Sequence, residues 1–305
     1  MADKTLEITE EYIQPGARIT SRVPYADYAA IKAHSISALK MLRMSPKHYQ
    51  YALAHPKESP ALTLGTAAHT AVLEPERFER DFAIWTRRTE SGNMAPRNGK
   101  IWDDFLNTAQ GENQTVLTVD EANHARDIQT AVRSNPDVMR YLSAGDPEIS
   151  MEWSMSIKRA VGENETFSCK GRADWLNKID GRPCLTGLKT ARDHRHYLFG
   201  AAAAKLGYHL QWAFYYDGYI RITGNIPHMA EIVVESNPPH DSVVYTIPDE
   251  ILQQGHEEYC DLLRLYAHCN DTGEWPGVYQ GEQILSLPSW VYGPQDDVSD
   301  LGLEE

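Results

Sequence analysis

Lys170-Gly-Arg-Ala-Asp174-Trp-Leu176, followed closely by Pro183-Cys-Leu-Thr-Gly187-Leu-Lys189-Thr190, is the stretch on which the reading of this chain turns. Both halves read as strands, over Phe167 to Ile179 and Cys184 to Thr190. Asp180-Gly181 between them supplies the residue pair that a two-residue hairpin turn favours. Side chains alternate along a strand, so Gly187 and Lys189 share one face and Leu188 points to the other. Asp174 is an ionisable residue inside an apolar strand, and Lys189 is its counterpart on the neighbour.

Working outward, Ile149, Met151, Trp153, Met155 and Ile157 alternate with mostly polar residues, which predicts a third strand. Downstream, Tyr197 to Ile220 reads as a helix, Met229 to Glu235 and Val243 to Ile247 as strands, and Asp249 to His268 as a helix opened by two acids. Upstream, helical spacing runs from Ala30 to Ala54 through Ile31, Ile36, Leu39 and Leu42, interrupted and restarted at Ser45-Pro46. Ala61 to Leu73 is a second helix of small residues. Glu90 to Lys100 is a polar, glycine-bearing loop. Val119 to Leu142 reads as one long helix, opened by Asp120 and closed before Ala144-Gly-Asp-Pro147. The order is helices, then β-β-β-α-β-β-α, with no internal repeat. This predicts one elaborated α/β (α+β) domain. It also predicts an N-terminal arm over 1–30, a single domain over 31–280 with its sheet core about 148–250, and an acidic tail over 281–305.

The chain has 305 residues and a net charge of -14. That balance argues against a protein that coats nucleic acid electrostatically, but leaves room for a local basic channel. Part of the acidity is peripheral, because Gln295 to Glu305 carries five acids and no base. No apolar run approaches the ~20 residues that span a bilayer. The start, Met-Ala-Asp-Lys-Thr-Leu-Glu, lacks a basic-then-apolar leader pattern, so a cytoplasmic location is expected. Cys169, Cys184, Cys260 and Cys269 form no C-x-x-C pair and read as reduced thiols.

Carboxylates on two adjacent strands would hold a hard divalent cation, and a lysine beside them can stabilise charge building on a phosphate. Each residue also has a plainer reading. Asp174 could be a strand-end aspartate and Lys189 a solvated edge lysine. His69 alone, on an alanine-rich helix, is more often a packed histidine than a ligand. Gln211 and Tyr215, one helical turn apart, sit in an aromatic stripe with Trp212, Phe214 and Tyr216, where Gln211 is the polar exception.

Asp174…Gly187-Leu-Lys189 resembles the PD-(D/E)XK nuclease motif, and more narrowly that of the exonuclease VIII (RecE-type) group and its phage relatives. Ser45-Pro46 with Gly65-Thr-Ala-Ala-His69 resembles the histidine-bearing helix of such nucleases. Gln211-Trp-Ala-Phe-Tyr215 resembles their Q-x-x-x-Y element, and Asn98-Gly-Lys100-Ile-Trp102 their middle region. The resemblance covers about residues 35–270. It implies a restriction-endonuclease-like core, a central mixed β-sheet flanked by helices, with a helical N-terminal elaboration. It also implies an exodeoxyribonuclease that resects linear double-stranded DNA ends, 5′ to 3′, in a bacterial or phage-infected cell. Mg2+ or Mn2+ would be held by His69, Asp174 and the Leu188 carbonyl. Lys189, Gln211 and Tyr215 would act in catalysis, while Arg172, Thr190 and Arg192 would contact DNA. A single-strand annealing protein and a ring-like trimer or tetramer are the implied partners. A non-catalytic DNA-end-binding module, or a structural phage protein with a coincidental motif, are the alternatives.

The family expects Asp or Glu where this chain has Gly187, so the site presents one carboxylate instead of two, and impaired activity is expected. Three explanations stand open: engineered inactivation, natural decay into a DNA-binding protein, and migration of the acid to another position. Migration ranks lowest, because no acid lies between Asp193 and Asp217. Glu148 and Glu152, on the first strand, are the donors such a migration would use.

Overall fold

The computed structural model describes residues 17–55, 60–158, 163–279 and 281–288. Residues 1–16 of the expected arm and 289–305 of the expected acidic tail lie outside them. In chain order the first elements are β1 (Arg18–Thr20), α1 (Tyr25–Ala30), β2 (His34–Ser35), α2 (Ile36–Leu39) and, after a 3-10 turn, α3 (Pro46–Ala54). Next come α4 (Pro60–Leu73), α5 (Pro75–Asp81), β3 (Phe82–Trp85), α6 (Lys100–Gly111), β4 (Thr115–Thr118), α7 (Val119–Ser134) and α8 (Pro136–Leu142). The sheet then builds from β5 (Asp146–Ile157), β6 (Glu165–Ile179) and β7 (Arg182–Ala191). After them come α9 (His196–Leu206), α10 (Tyr208–Thr223), β8 (His228–Glu235), β9 (Ser242–Thr246) and α11 (Asp249–Thr272).

The main sheet runs β1-β5-β6-β7-β8-β9, with β2 also pairing β6, and β3 and β4 form a separate parallel pair. Two pairings of the main sheet are parallel, β2 with β6 and β7 with β8, and the others are antiparallel. The expected mixed sheet between helices is therefore present. On one face Leu210 and Phe214 of α10 and Tyr259 and Leu263 of α11 pack with Met151, Trp153 and Met155 of β5. On the other, Ala67 and Ala71 of α4 and Ala125, Ile128 and Val132 of α7 pack with Leu188, Ile232 and Val234. Burying a large apolar side chain contributes roughly 1.5–3 kcal/mol, so these two layers hold the sheet between them.

Two helices read as continuous are each broken. The Val119–Leu142 stretch divides at Asn135-Pro136. Asn135 Oδ1 accepts from the amides of Asp137 and Val138, and Pro136 opens the next helix. Proline lacks the amide that would continue α7 but fits the first turn of α8. The start of α7 is a capping box between Thr118 and Glu121 rather than a cap by Asp120. The Tyr197–Ile220 stretch divides at Gly207, whose φ of +67° ends α9 and turns the chain into α10. Elements β1, β3, β4 and α5 are too short to stand out in the sequence, whereas α6 is a 12-residue amphipathic helix that was not among the expected elements. The Glu90–Lys100 loop is irregular, with an isolated bridge between Arg88 and Met94.

One detail of register prepares the site. On one side of β6, β2 pairs as far as Ser35↔Lys170 and β7 pairs from Trp175↔Thr186 onward. Residues 171–174 of β6 lie in the gap between the two. β7 continues past the split beside β8, as far as Ala191↔Glu235.

Candidate active site

Where β6 and β7 part, the backbone of Leu188 loses its cross-strand partner on that side, and side chains take over. Asp174 Oδ2 accepts from the Leu188 amide at 2.8 Å. His69 Nε2, reaching in from α4, lies 2.9 Å from the Leu188 carbonyl oxygen. It is also 3.2 Å from Asp174 Oδ2. A carbonyl can only accept, so Nε2 carries a hydrogen here. That hydrogen holds a carbonyl oxygen and a carboxylate oxygen against one imidazole nitrogen, as a divalent cation would. Two ligands about 2.1 Å from an octahedral ion stand about 3.0 Å apart when adjacent. The 2.9 and 3.2 Å separations match that edge. The three groups expected to hold a metal thus fit one.

Lys189, the residue after Leu188, points to the α10 face. Its Nζ stands 3.7 Å from Asp174 Oδ2 and 3.5 Å from Glu231 Oε1. It also lies 5.5 Å from the centre of the Tyr208 ring, and Lys40 Nζ lies 5.7 Å from the same ring. Gln211 Nε2 is 3.4 Å from the Tyr215 hydroxyl, one turn along α10. Asp174, Gly187, Lys189, Gln211, Tyr215 and Glu231 all line one cavity of about 10 Å³, room for about one water. The expected catalytic and metal-binding residues are therefore brought together by four elements, α4, β6, β7 and α10.

The electrostatics follow from enclosure. Burial alone would raise the Asp174 carboxyl, but His69, Lys189 and the Leu188 amide outweigh it and hold the group below the ordinary carboxylate range. Burial opposes the charge on Lys189, yet Glu231 and Asp174 together keep its ammonium protonated above the usual lysine value. For His69, burial is likewise overcome by Asp174, and the ring is held above the ordinary histidine value. Lys40 moves the other way, to about 8, through burial and the nearby charges of Lys189 and Arg43.

Beside Gly187, where the strand itself presents no acid, stands Glu231. This residue sits on β8 directly beside Gly187 in the parallel register. Its side chain is 1 % exposed. A Cβ built on Gly187 would stand 2.5 Å from Glu231 Oε1 and 2.6 Å from Oε2. The volume that an aspartate at 187 would use is therefore filled by a carboxylate arriving from the next strand. Trp212 Nε1 of α10 donates to Oε2. Glu231 lines the cavity, and its Oε1 accepts no hydrogen bond. Burial pushes the Glu231 carboxyl up from its ordinary value, against the pull of Lys189. The sequence held a signal for this residue, since Glu231 interrupts the apolar run Met229-Ala-Glu-Ile-Val-Val234 in the middle of a strand. A buried acid there needs a partner.

The donors named for a migrated acid are engaged elsewhere. Glu148 pairs with Arg172. Glu152 pairs with Arg18 of β1 at 2.6 Å. Arg172 is correspondingly not a free DNA contact. It is 12 % exposed, bound to Glu148, and lies over the rings of Tyr25 and Tyr28 at 5.6 and 5.8 Å. Thr190 is half-buried on β7, and Arg192 is exposed just beyond its end. Asp193, His194 and Glu235, at the exits of β7 and β8, also lie close enough to share an ion. They are already engaged, with Arg195 on Asp193 and with His194 between Glu235 and Asp241.

Among solved structures, a "putative exonuclease" of Eubacterium rectale superposes with a TM-score of 0.56 at 15 % identity, covering 92 % of this chain and 100 % of that one. The protein SSO0001 aligns over 78 % of this chain and 81 % of its own, at 11 % identity and a TM-score of 0.36. No curated protein matches the sequence. The model of one family, described as a PDDEXK-like domain of unknown function (DUF3799), matches residues 35–284. With Asp174 and Lys189 in motif register on a mixed sheet and most of its length matched, the chain belongs to this family and carries a PD-(D/E)XK nuclease scaffold.

Proposed function

We propose that the protein is a metal-dependent exodeoxyribonuclease that degrades linear double-stranded DNA from its ends. The observation that carries this reading is the meeting of Asp174, His69, the Leu188 carbonyl and Lys189 at the split between β6 and β7. A divalent cation, Mg2+ or Mn2+, would be held by His69, Asp174 and the Leu188 carbonyl, and would supply Lewis-acid polarisation of the scissile phosphate and a more acidic attacking water. Lys189 stays charged between two carboxylates and can meet the negative charge that builds on the phosphate. Gln211 and Tyr215 offer an amide and a hydroxyl to the same cavity and can orient a water there. Thr190 and Arg192 continue from Lys189 along the exit of β7, where a strand backbone would pass.

Resection in the 5′ to 3′ direction, delivery of the exposed strand to an annealing protein and assembly into a ring-like trimer or tetramer complete the proposal. They rest on the family likeness set out from the motifs. A ring would place the acidic surface outside and basic groups such as Lys40 and Arg192 toward the DNA.

Incubation with a linear duplex and with a covalently closed circle, in Mg2+, tests the reading. Shortening of the linear DNA only is expected, lost on chelation and reduced about 10²–10³-fold in Lys189→Ala. Cutting of the closed circle would overturn end-dependence. Binding of linear duplex without cleavage in either metal would instead make the protein a non-catalytic end-binding module.

A further inference from the structure

We infer that Glu231 supplies the second carboxylate of the cation site, so that this chain is an active nuclease as it stands and Gly187 is a requirement of its site rather than a lesion. The inference rests on the reading of the site as a metal-dependent nuclease centre and adds a residue to it.

Four observations converge on Glu231. It is the parallel-register neighbour of Gly187, so its side chain leaves β8 on the same face as Lys189 leaves β7. Its carboxylate lies 2.5–2.7 Å from where the Cβ of any residue at 187 would be. An aspartate there would put its own oxygens into the space now held by the Glu231 carboxylate. A glutamate from the next strand, one methylene longer, reaches the same volume from the side. Lys189 Nζ stands almost midway between the two acids, 3.7 Å from Asp174 and 3.5 Å from Glu231. The relation of one lysine to two carboxylates is thus retained although one carboxylate comes from another strand. Finally, Oε1 is a buried carboxylate oxygen without a hydrogen bond, and Glu231 lines the cavity shared with Asp174. Lys189 Nζ, at 3.5 Å, is the cation beside it, and a buried carboxylate oxygen with no closer donor favours a bound cation. Trp212 Nε1 donates to Oε2 and leaves Oε1 without a hydrogen bond.

Gly187 follows from the same geometry. A side chain at 187 and the Glu231 carboxylate compete for one volume, so one must shift if both are present. The acid and the glycine form a reciprocal pair across the β7–β8 ladder.

The alternative role for Glu231 is that of a counter-ion for buried Lys189, with no part in holding a cation. Metal binding separates the two. Mn2+ affinity is measured by isothermal titration on the full chain, beside cleavage of linear duplex, for the native protein, Glu231→Gln, Gly187→Asp and the exchange Gly187→Asp with Glu231→Gly. The native protein is expected to bind Mn2+ and cleave. Glu231→Gln should weaken Mn2+ about tenfold or more and abolish most cleavage. Gly187→Asp should fail to improve either. The exchange variant should recover both, because it moves the acid to the other member of the pair, and it keeps the test valid if Glu231→Gln folds poorly. Native cleavage and Mn2+ binding with unchanged Mn2+ affinity in Glu231→Gln would overturn the inference while leaving the nuclease reading intact. So would a gain of cleavage in Gly187→Asp alone. Absence of both Mn2+ binding and cleavage in the native protein and in every variant would instead overturn the nuclease reading itself.

Discussion

At the scale of single residues, Gly187 and Glu231 show how a motif letter and a site can come apart. A motif is counted along one strand, whereas the cation senses only where oxygens lie. Gly187→Ala tests the packing side of this relation without adding a charge. Its Cβ would press on the buried Glu231 carboxylate, so a loss of about 1–3 kcal/mol in chemical denaturation is expected. Away from the site, Asp217 Oδ2 lies 2.6 Å from His256 Nδ1. Chiefly through that hydrogen bond, and then through contact with Cys260, the imidazole is pushed up to about 10 from an ordinary 6.5. The folded state therefore holds a proton that the unfolded chain gives up. The stabilisation is complete below about pH 6.5 and drains away as pH rises through about 10. Denaturant midpoints of the native protein should fall across that window more steeply than those of His256→Asn.

At the scale of elements, most strands and the flanks of the helices were legible because period-two alternation and capping residues are local. The interruptions within long helical patterns were less legible. Asn135-Pro136 carries a clear stop signal, yet the apolar spacing on either side reads as continuous. Gly207 looks like one glycine in a helix until the turn between α9 and α10 demands a positive φ. Gly207→Ala should cost about 1–2 kcal/mol through the left-handed conformation that its φ of +67° imposes. Thr118→Ala, which removes one half of the capping box on α7, should cost about 1 kcal/mol. Thermal unfolding reads both. The small β3–β4 pair escaped the sequence because four-residue strands carry too few alternations to stand out.

At the scale of the whole molecule, a net charge of -14 coexists with a site whose approach carries Lys40, Arg43 and Lys189. Binding to duplex should therefore depend on a few local phosphate contacts and not on the overall field. Log affinity against log salt should fall with a slope of about -0.9 per phosphate. Lys40→Ala should lower that slope by about one contact, as read by fluorescence anisotropy. No helix among the described residues is long and apolar enough to cross a membrane. The four cysteines are free and buried.

The sequence by itself determined the mixed sheet with its helical layers, the PD-(D/E)XK register of Asp174 and Lys189, and the candidacy of His69, Gln211 and Tyr215. The strands and helices rest on short-range periodicity, whereas the mixed sheet and the site candidates rest on the likeness of these residues, in order and spacing, to the motifs of the nuclease family. Only the tertiary structure decided that Arg172 is bound to Glu148, that Leu188 is released from its ladder, and that Glu231 stands beside Gly187. Each of these depends on which strand lies next to which and in what register. Glu231 is 44 residues from Gly187 along the chain, and spacing within one strand says nothing about a carboxylate that arrives from another.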